Sequence, residues 1–141
     1  MNYSIAKKEH LPKVLKYSSL LHQEEVKESR VKRAILNELV WVAVPEEQAV
    51  GYVLVELFDS SNKFVPNSIF ISELFVDEKH RKQGIGSSLV KRVLTTELTD
   101  EHNYFSLTHD PKEEWLTGFY ERFGFTRTGT TDVGNVILVK K

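Results

Sequence analysis

Arg81-Lys82-Gln83-Gly84-Ile85-Gly86-Ser87 is the segment whose residue types and spacing point most directly to chemistry. It lies between an apolar run, Ile69–Val76, and an amphipathic stretch that opens at Gly84. A strand, a glycine loop and a helix in that order can hold a phosphate. The first helical N–H groups have no intrahelical acceptor, the helix dipole presents its positive end, and glycines let a pyrophosphate approach the backbone. Arg81 and Lys82 add positive charge at the same mouth. Two nucleotide motifs fit poorly: a Walker loop needs a lysine after its second glycine, where Ser87 stands, and a dinucleotide fingerprint needs glycine where Leu89 stands. The bland alternative is a glycine-assisted turn into a helix.

Other chemistries find less support. The five histidines (His10, His22, His80, His102, His109) show no metal-ligand spacing, so no metal is expected. No Gly-x-Ser-x-Gly elbow is present. With no cysteine, a thiol nucleophile and a disulfide framework are excluded. The balance of 19 Lys+Arg against 20 Asp+Glu argues against a nucleic-acid partner recruited by bulk charge. No apolar run reaches the roughly 20 residues of a membrane span, and Lys7, Lys8 and Glu9 interrupt any signal-peptide core. No membrane is expected, and the localisation these features suggest is cytoplasmic.

The elements that position the loop follow from periodicity. Residues 2–6, 39–44, 49–58, 68–76, 104–108, 125–130 and 135–139 read as strands, and 9–22, 24–37, 84–98 and 111–123 as helices. The first helix would bury Leu11, Val14, Leu15 and Leu21, and the second Val26, Val31, Ala34 and Ile35. In the third, Ile85, Leu89 and Val93 form one row and Val90, Leu94 and Leu98 the next. Pro111 suits a first helical turn and Gly124 the position just past a helix end. At 141 residues, 40% of them hydrophobic, the chain reads as a single domain, 1–141. The order βααβββαβαββ gives an α/β (α+β) fold, a mixed sheet of about six to seven strands flanked by about four helices.

Two motifs then make the reading specific. Arg81, Gly84 and Gly86 open the central helix, and Phe119-Tyr120-Glu121-Arg122-Phe123-Gly124-Phe125 closes the last one. Together with the element order, they make the chain resemble the GNAT superfamily of acyl-CoA-dependent N-acetyltransferases. The resemblance implies acetyl-CoA as cosubstrate, held by the backbone of Leu74, Phe75 and Val76 along its pantetheine arm and by the amides from Lys82 through Gln83, Gly84, Ile85 and Gly86 to Ser87 at its pyrophosphate. It implies transfer of an acetyl group to a primary amine of a small molecule or peptide. An alkylammonium titrates near 10.4 and must lose a proton before it attacks. On this likeness Glu73 is the candidate general base, directly or through water, and Tyr120 the acid that protonates the departing thiolate. A strand backbone N–H near Val76 would face the oxyanion.

The chain departs from the family at Glu113, where many members have asparagine, and at His80, often aromatic. The acidic residues Glu24, Glu25, Glu28 and Asp59, with Glu113 a further candidate, could draw in a cationic amine, or belong to a mixed-charge surface with Lys27, Arg30, Lys32 and Arg33. A catalytically silent acyl-CoA-binding sensor is the rival from another class, and a homodimer stays open.

Overall fold

The computed structural model describes residues 1–96 and 101–141. Its elements are β1 (Asn2–Ile5), α1 (Leu11–His22), α2 (Glu28–Leu36), β2 (Val40–Val44), β3 (Gly51–Phe58), β4 (Ser68–Val76), α3 (Ile85–Leu94), β5 (Tyr104–His109), α4 (Trp115–Glu121), β6 (Thr126–Thr130) and β7 (Val136–Lys140). Short 3-10 turns cover Lys8–His10 and Glu78–His80. Strand order is β1-β2-β3-β4-β5-β7-β6. The mixed α/β architecture and element order match the sequence reading.

The chain forms two compact units, residues 1–55 with 73–96 and residues 56–72 with 97–141. In the first, β1, β2 and β3 pair antiparallel, with Tyr3 opposite Ala43 and Val42 opposite Tyr52. Burial on both faces explains the unbroken apolar run of β2. Val40, Val42, Tyr52 and Leu54 pack with Val14, Tyr17, Val31, Ala34 and Ile35 of α1 and α2. Residues one step along the pleat point to the other side, where α3 buries Ile85, Leu89, Val90 and Val93. In the second unit, β4 begins as a parallel partner of β5 over Ser68–Phe70 and Tyr104–Ser106, the first three of its nine residues. Beyond it, β5, β7 and β6 are antiparallel, with a register shift between Arg127 and Gly129.

Four helix predictions shift. The first helix buries Val14, Tyr17 and Ser18, while Leu21 is exposed; Tyr17 donates to the buried Ala49 O and Ser18 to the buried Glu73, which turns the helix toward them. Gln23 ends α1 in the left-handed region (φ 58°), its N–H donating to Leu20 O and that of Glu24 to Ser19 O. That stop delays α2 from residue 24 to Glu28. The end of α3 falls at Leu94, and Leu98 lies outside the described residues. Pro111 does not start α4: Asp110 Oδ1 accepts from Lys112 N–H and Asp110 O from Glu113 N–H, closing a turn, and the helix begins at Trp115. Gly124 does sit past the helix end at φ 94°, donating to Glu121 O.

Two glycines predict opposite effects. A Cβ on Gly51 would lie 2.9 Å from Phe75 O and 3.4 Å from Val76 Cα, so Gly51→Ala should destabilise by about 2 kcal/mol. Gly118 inside α4 faces open space, and Gly118→Ala should stabilise by up to about 1 kcal/mol. Urea unfolding of both variants checks the pair. Equal effects would remove the close approach of β3 to the end of β4.

Candidate active site

Alternation along β4 points Glu73 and Phe75 toward the α1–α2 side, where a carboxylate can be buried only if donors meet it. Glu73 is 2% exposed. Its Oε1 accepts from Ser18 Oγ at 2.7 Å and from Tyr52 OH at 2.6 Å. Its Oε2 accepts from Arg30 Nη1, and His22 Nε2 stands 3.4 Å from the same oxygen. Burial alone would raise the pKa of Glu73. The hydrogen bonds of Tyr52, Ser18 and Arg30, with the Arg30 charge, outweigh it and hold the carboxyl below its ordinary value. Tyr52 moves the other way, pushed up first by burial and then by the neighbouring Glu73 charge.

Beyond Glu73, the end of β4 is clamped. Phe75 stacks on Tyr17 with ring centroids 5.0 Å apart, and Tyr17 OH donates to Asp77 Oδ2 at 2.9 Å. Burial, then that bond, pushes Tyr17 up to about 12. Asp77 N–H donates to Val50 O at 2.7 Å, and its side chain caps the 3-10 turn at Lys79 N–H. Arg81 folds back, its Nε donating to Val76 O at 2.9 Å and its guanidinium 5.4 Å from the Phe75 ring centre. The charge expected at the mouth is therefore partly engaged in bracing the strand. Leu74, Phe75 and Val76 are half-buried.

The loop between them turns through two left-handed residues, Lys82 (φ 63°) and Gly84 (φ 79°). Left-handed residues set into a right-handed loop turn consecutive N–H groups inward into an anion-binding concavity. The ladder of α3 opens with Ser88 N–H on Gly84 O, so the amides of Ile85, Gly86 and Ser87 have no acceptor within the helix. A Cβ on Gly84 would meet nothing within 4 Å, and one on Gly86 only Val76 Cγ2 at 3.9 Å. Open space over orphan amides fits a pyrophosphate. Nearby, His80 Nδ1 is buried with no hydrogen-bond partner among the described residues.

Thus Glu73, Leu74–Val76 and Arg81–Ser87 are together in the first unit. Tyr120 belongs to the second, on α4, where it is buried edge-on to Phe119 (5.0 Å, 83°) and Phe125 (5.6 Å, 71°). Burial pushes its phenol up, so it stays protonated at neutral pH. In the same unit His109 is held by Asp110 O at 2.9 Å and Thr117 Oγ1 at 2.8 Å, fixing α4 to the end of β5. Sequence reasoning missed Ser18, Tyr52, His22 and Arg30 as partners of Glu73. One signal was available: Ser18 follows Val14 by four positions, a polar residue on the buried face of α1.

Glu73→Gln should cost about 3 kcal/mol at neutral pH, the lower end for breaking a buried ion pair because the Arg30 side chain is 38% exposed. A carboxyl held low when folded stabilises fully above the ordinary value of 4.5, and that contribution is lost as pH falls through the folded value. The gap between wild type and variant in denaturant unfolding should therefore narrow as pH falls below 4.5. A gap independent of pH would contradict the low-pKa carboxylate.

Residues 36–127 match the family model described as "Acetyltransferase (GNAT) domain". Human N-acetyltransferase 8 is 33% identical over 106 residues, covering 72% of this chain and 45% of the relative. The uncharacterized N-acetyltransferase YafP of Escherichia coli is 31% identical over 104 residues, covering 72% and 55%. The chain thus spans about half the length of the curated relatives it matches. Among solved structures, Arabidopsis thaliana Naa50 in complex with the bisubstrate analogue CoA-Ac-MVNAL aligns with a TM-score of 0.78 at 20% identity, over 99% of this chain and 97% of that one. The family model covers well over half of the chain, and the chain belongs to the GNAT acetyltransferases.

Proposed function

We propose that residues 1–141 work as one N-acetyltransferase domain that moves an acetyl group from acetyl-CoA directly to a primary amine of a small molecule or peptide. The observation that carries this is the loop Arg81–Ser87: two left-handed residues, orphan amides and open space, fixed to the end of β4 by Arg81. Membership of an acetyltransferase family, with relatives named N-acetyltransferases, supports the reaction class.

In this reading the amides of Lys82 to Ser87 hold the pyrophosphate, and the backbone of Leu74, Phe75 and Val76 the pantetheine arm. Val76 N–H meets the oxyanion of the tetrahedral intermediate. Tyr120, kept protonated by burial, gives its proton to the departing thiolate. Glu73 supplies negative charge for the proton leaving the ammonium. Three hydrogen-bond donors on its two oxygens make it a weak base, so it acts through a neighbour. Direct transfer fits a chain without a thiol nucleophile.

Thiol release from acetyl-CoA, measured with a short free-N-terminus peptide and with 1,4-diaminobutane, tests the reaction. Wild type should release coenzyme A in the presence of amine. Tyr120→Phe should lower kcat about 10²-fold while leaving the KM for acetyl-CoA within about twofold. Unchanged turnover would remove the acid role. Replacing Gly84 by Val should abolish acetyl-CoA binding in a folded protein, and retained binding would remove the pyrophosphate assignment.

A further inference from the structure

His22 is the last residue of α1, and its neighbour Gln23 turns out of the helix in a left-handed conformation. Its side chain is 40% exposed, whereas the carboxylate it approaches is 0% exposed. Nε2 stands 3.4 Å from Glu73 Oε2, so the ring links a buried anion to the surface. The charged and titratable groups around this contact are Glu73 from β4, Arg30 from α2 on the same oxygen and Tyr52 from β3 on the other; Glu24 and Glu25 follow in the chain.

We propose that His22 is the catalytic residue that takes the proton from the acceptor ammonium, with Glu73 as its positioning residue. The proposal rests on the transferase reading above. Three observations favour the imidazole over the carboxylate as terminal acceptor. Both oxygens of Glu73 are already engaged, and protonating Oε2 would disrupt its bond from Arg30, a group that stays charged at all working pH values. The carboxyl is buried, while the imidazole is half-exposed. An anion facing Nε2 favours the tautomer with hydrogen on Nε2, which leaves the Nδ1 lone pair to accept a proton. A carboxylate behind the ring then offsets the charge of the imidazolium, as in other carboxylate-oriented histidine bases.

The proton balance closes. The ammonium gives one proton to His22 Nδ1, which releases it to water, and the amine nitrogen forms its bond to the thioester carbonyl carbon. When the C–S bond breaks, Tyr120 protonates the thiolate. The second proton leaving nitrogen restores the phenol through water. One proton is released per acetyl transferred.

The test is the pH dependence of kcat/KM for His22→Gln alongside ¹⁵N NMR of the wild-type ring. Wild type should rise with pH through one ionisation and then level off, and that ionisation should be missing from His22→Gln. His22→Gln should fall about 10²-fold at neutral pH and keep rising toward the pKa of the amine, and added imidazole should restore part of the loss. In the NMR spectrum the neutral ring should carry hydrogen on Nε2, and Glu73→Gln should weaken that preference. Turnover within about twofold of wild type on an unchanged profile would overturn the role of His22 alone. A neutral ring with hydrogen on Nδ1 would overturn the pairing with Glu73 whether or not the chain is a transferase. Lack of thiol release by wild type with either amine would defeat the transferase reading itself, and the catalytic part of this proposal with it.

Discussion

A carboxylate taken out of water must be met by donors or neutralised, and in this chain that requirement falls on Glu73. Its four partners come from α1, α2 and β3, so one side chain on β4 sets where three other elements must lie. Apolar contacts alone would tolerate sliding of α1 and α2 over β2 and β3. Donors converging on two oxygens do not, because each displaced group leaves a buried polar atom unpaired. The same requirement explains why α1 turns Ser18 inward and leaves Leu20 and Leu21 exposed.

The fixed position of Glu73 is passed to the strand end that follows it. Gly51 lets β3 approach the Phe75 carbonyl, Tyr17 holds both the Phe75 ring and Asp77, and Arg81 returns to Val76 O. A loop that must aim backbone amides at a phosphate gains from an anchor of this kind, because side-chain adjustment cannot correct a misplaced backbone. Lys82 holds a left-handed conformation that costs a non-glycine residue energy, and such strain persists only where the surroundings fix it. The structure links a buried polar cluster to a glycine loop; in the proposed reading the first carries proton chemistry and the second ligand binding.

Much of this architecture was legible in the residues, and the boundary lies between local and convergent information. Strand β4 could be read at its observed limits because six of its nine residues are apolar and turn formers bracket them. The glycine loop and the Gly124 stop depend on chemistry within a few residues and were equally readable. The start of α4 was not, because the Asp110 side chain closes a turn that competes with helix at Pro111. The environment of Glu73 was not readable either. Ser18, His22, Arg30 and Tyr52 are 55, 51, 43 and 21 positions from it, and no local pattern reports a partner at that distance. A charged face on α2 reads as solvated surface until the fold shows that Arg30 turns toward a buried anion.

Thermal unfolding of the purified chain with and without acetyl-CoA tests most directly whether the Arg81–Ser87 loop and the end of β4 form a coenzyme A site. Ligand at about 100 times its dissociation constant should add roughly 2.7 kcal/mol, an upward shift on the order of 5 °C. The shift should appear with acetyl-CoA and not with ATP or NAD. No shift at any concentration would contradict the account and leave the loop as a turn into a helix.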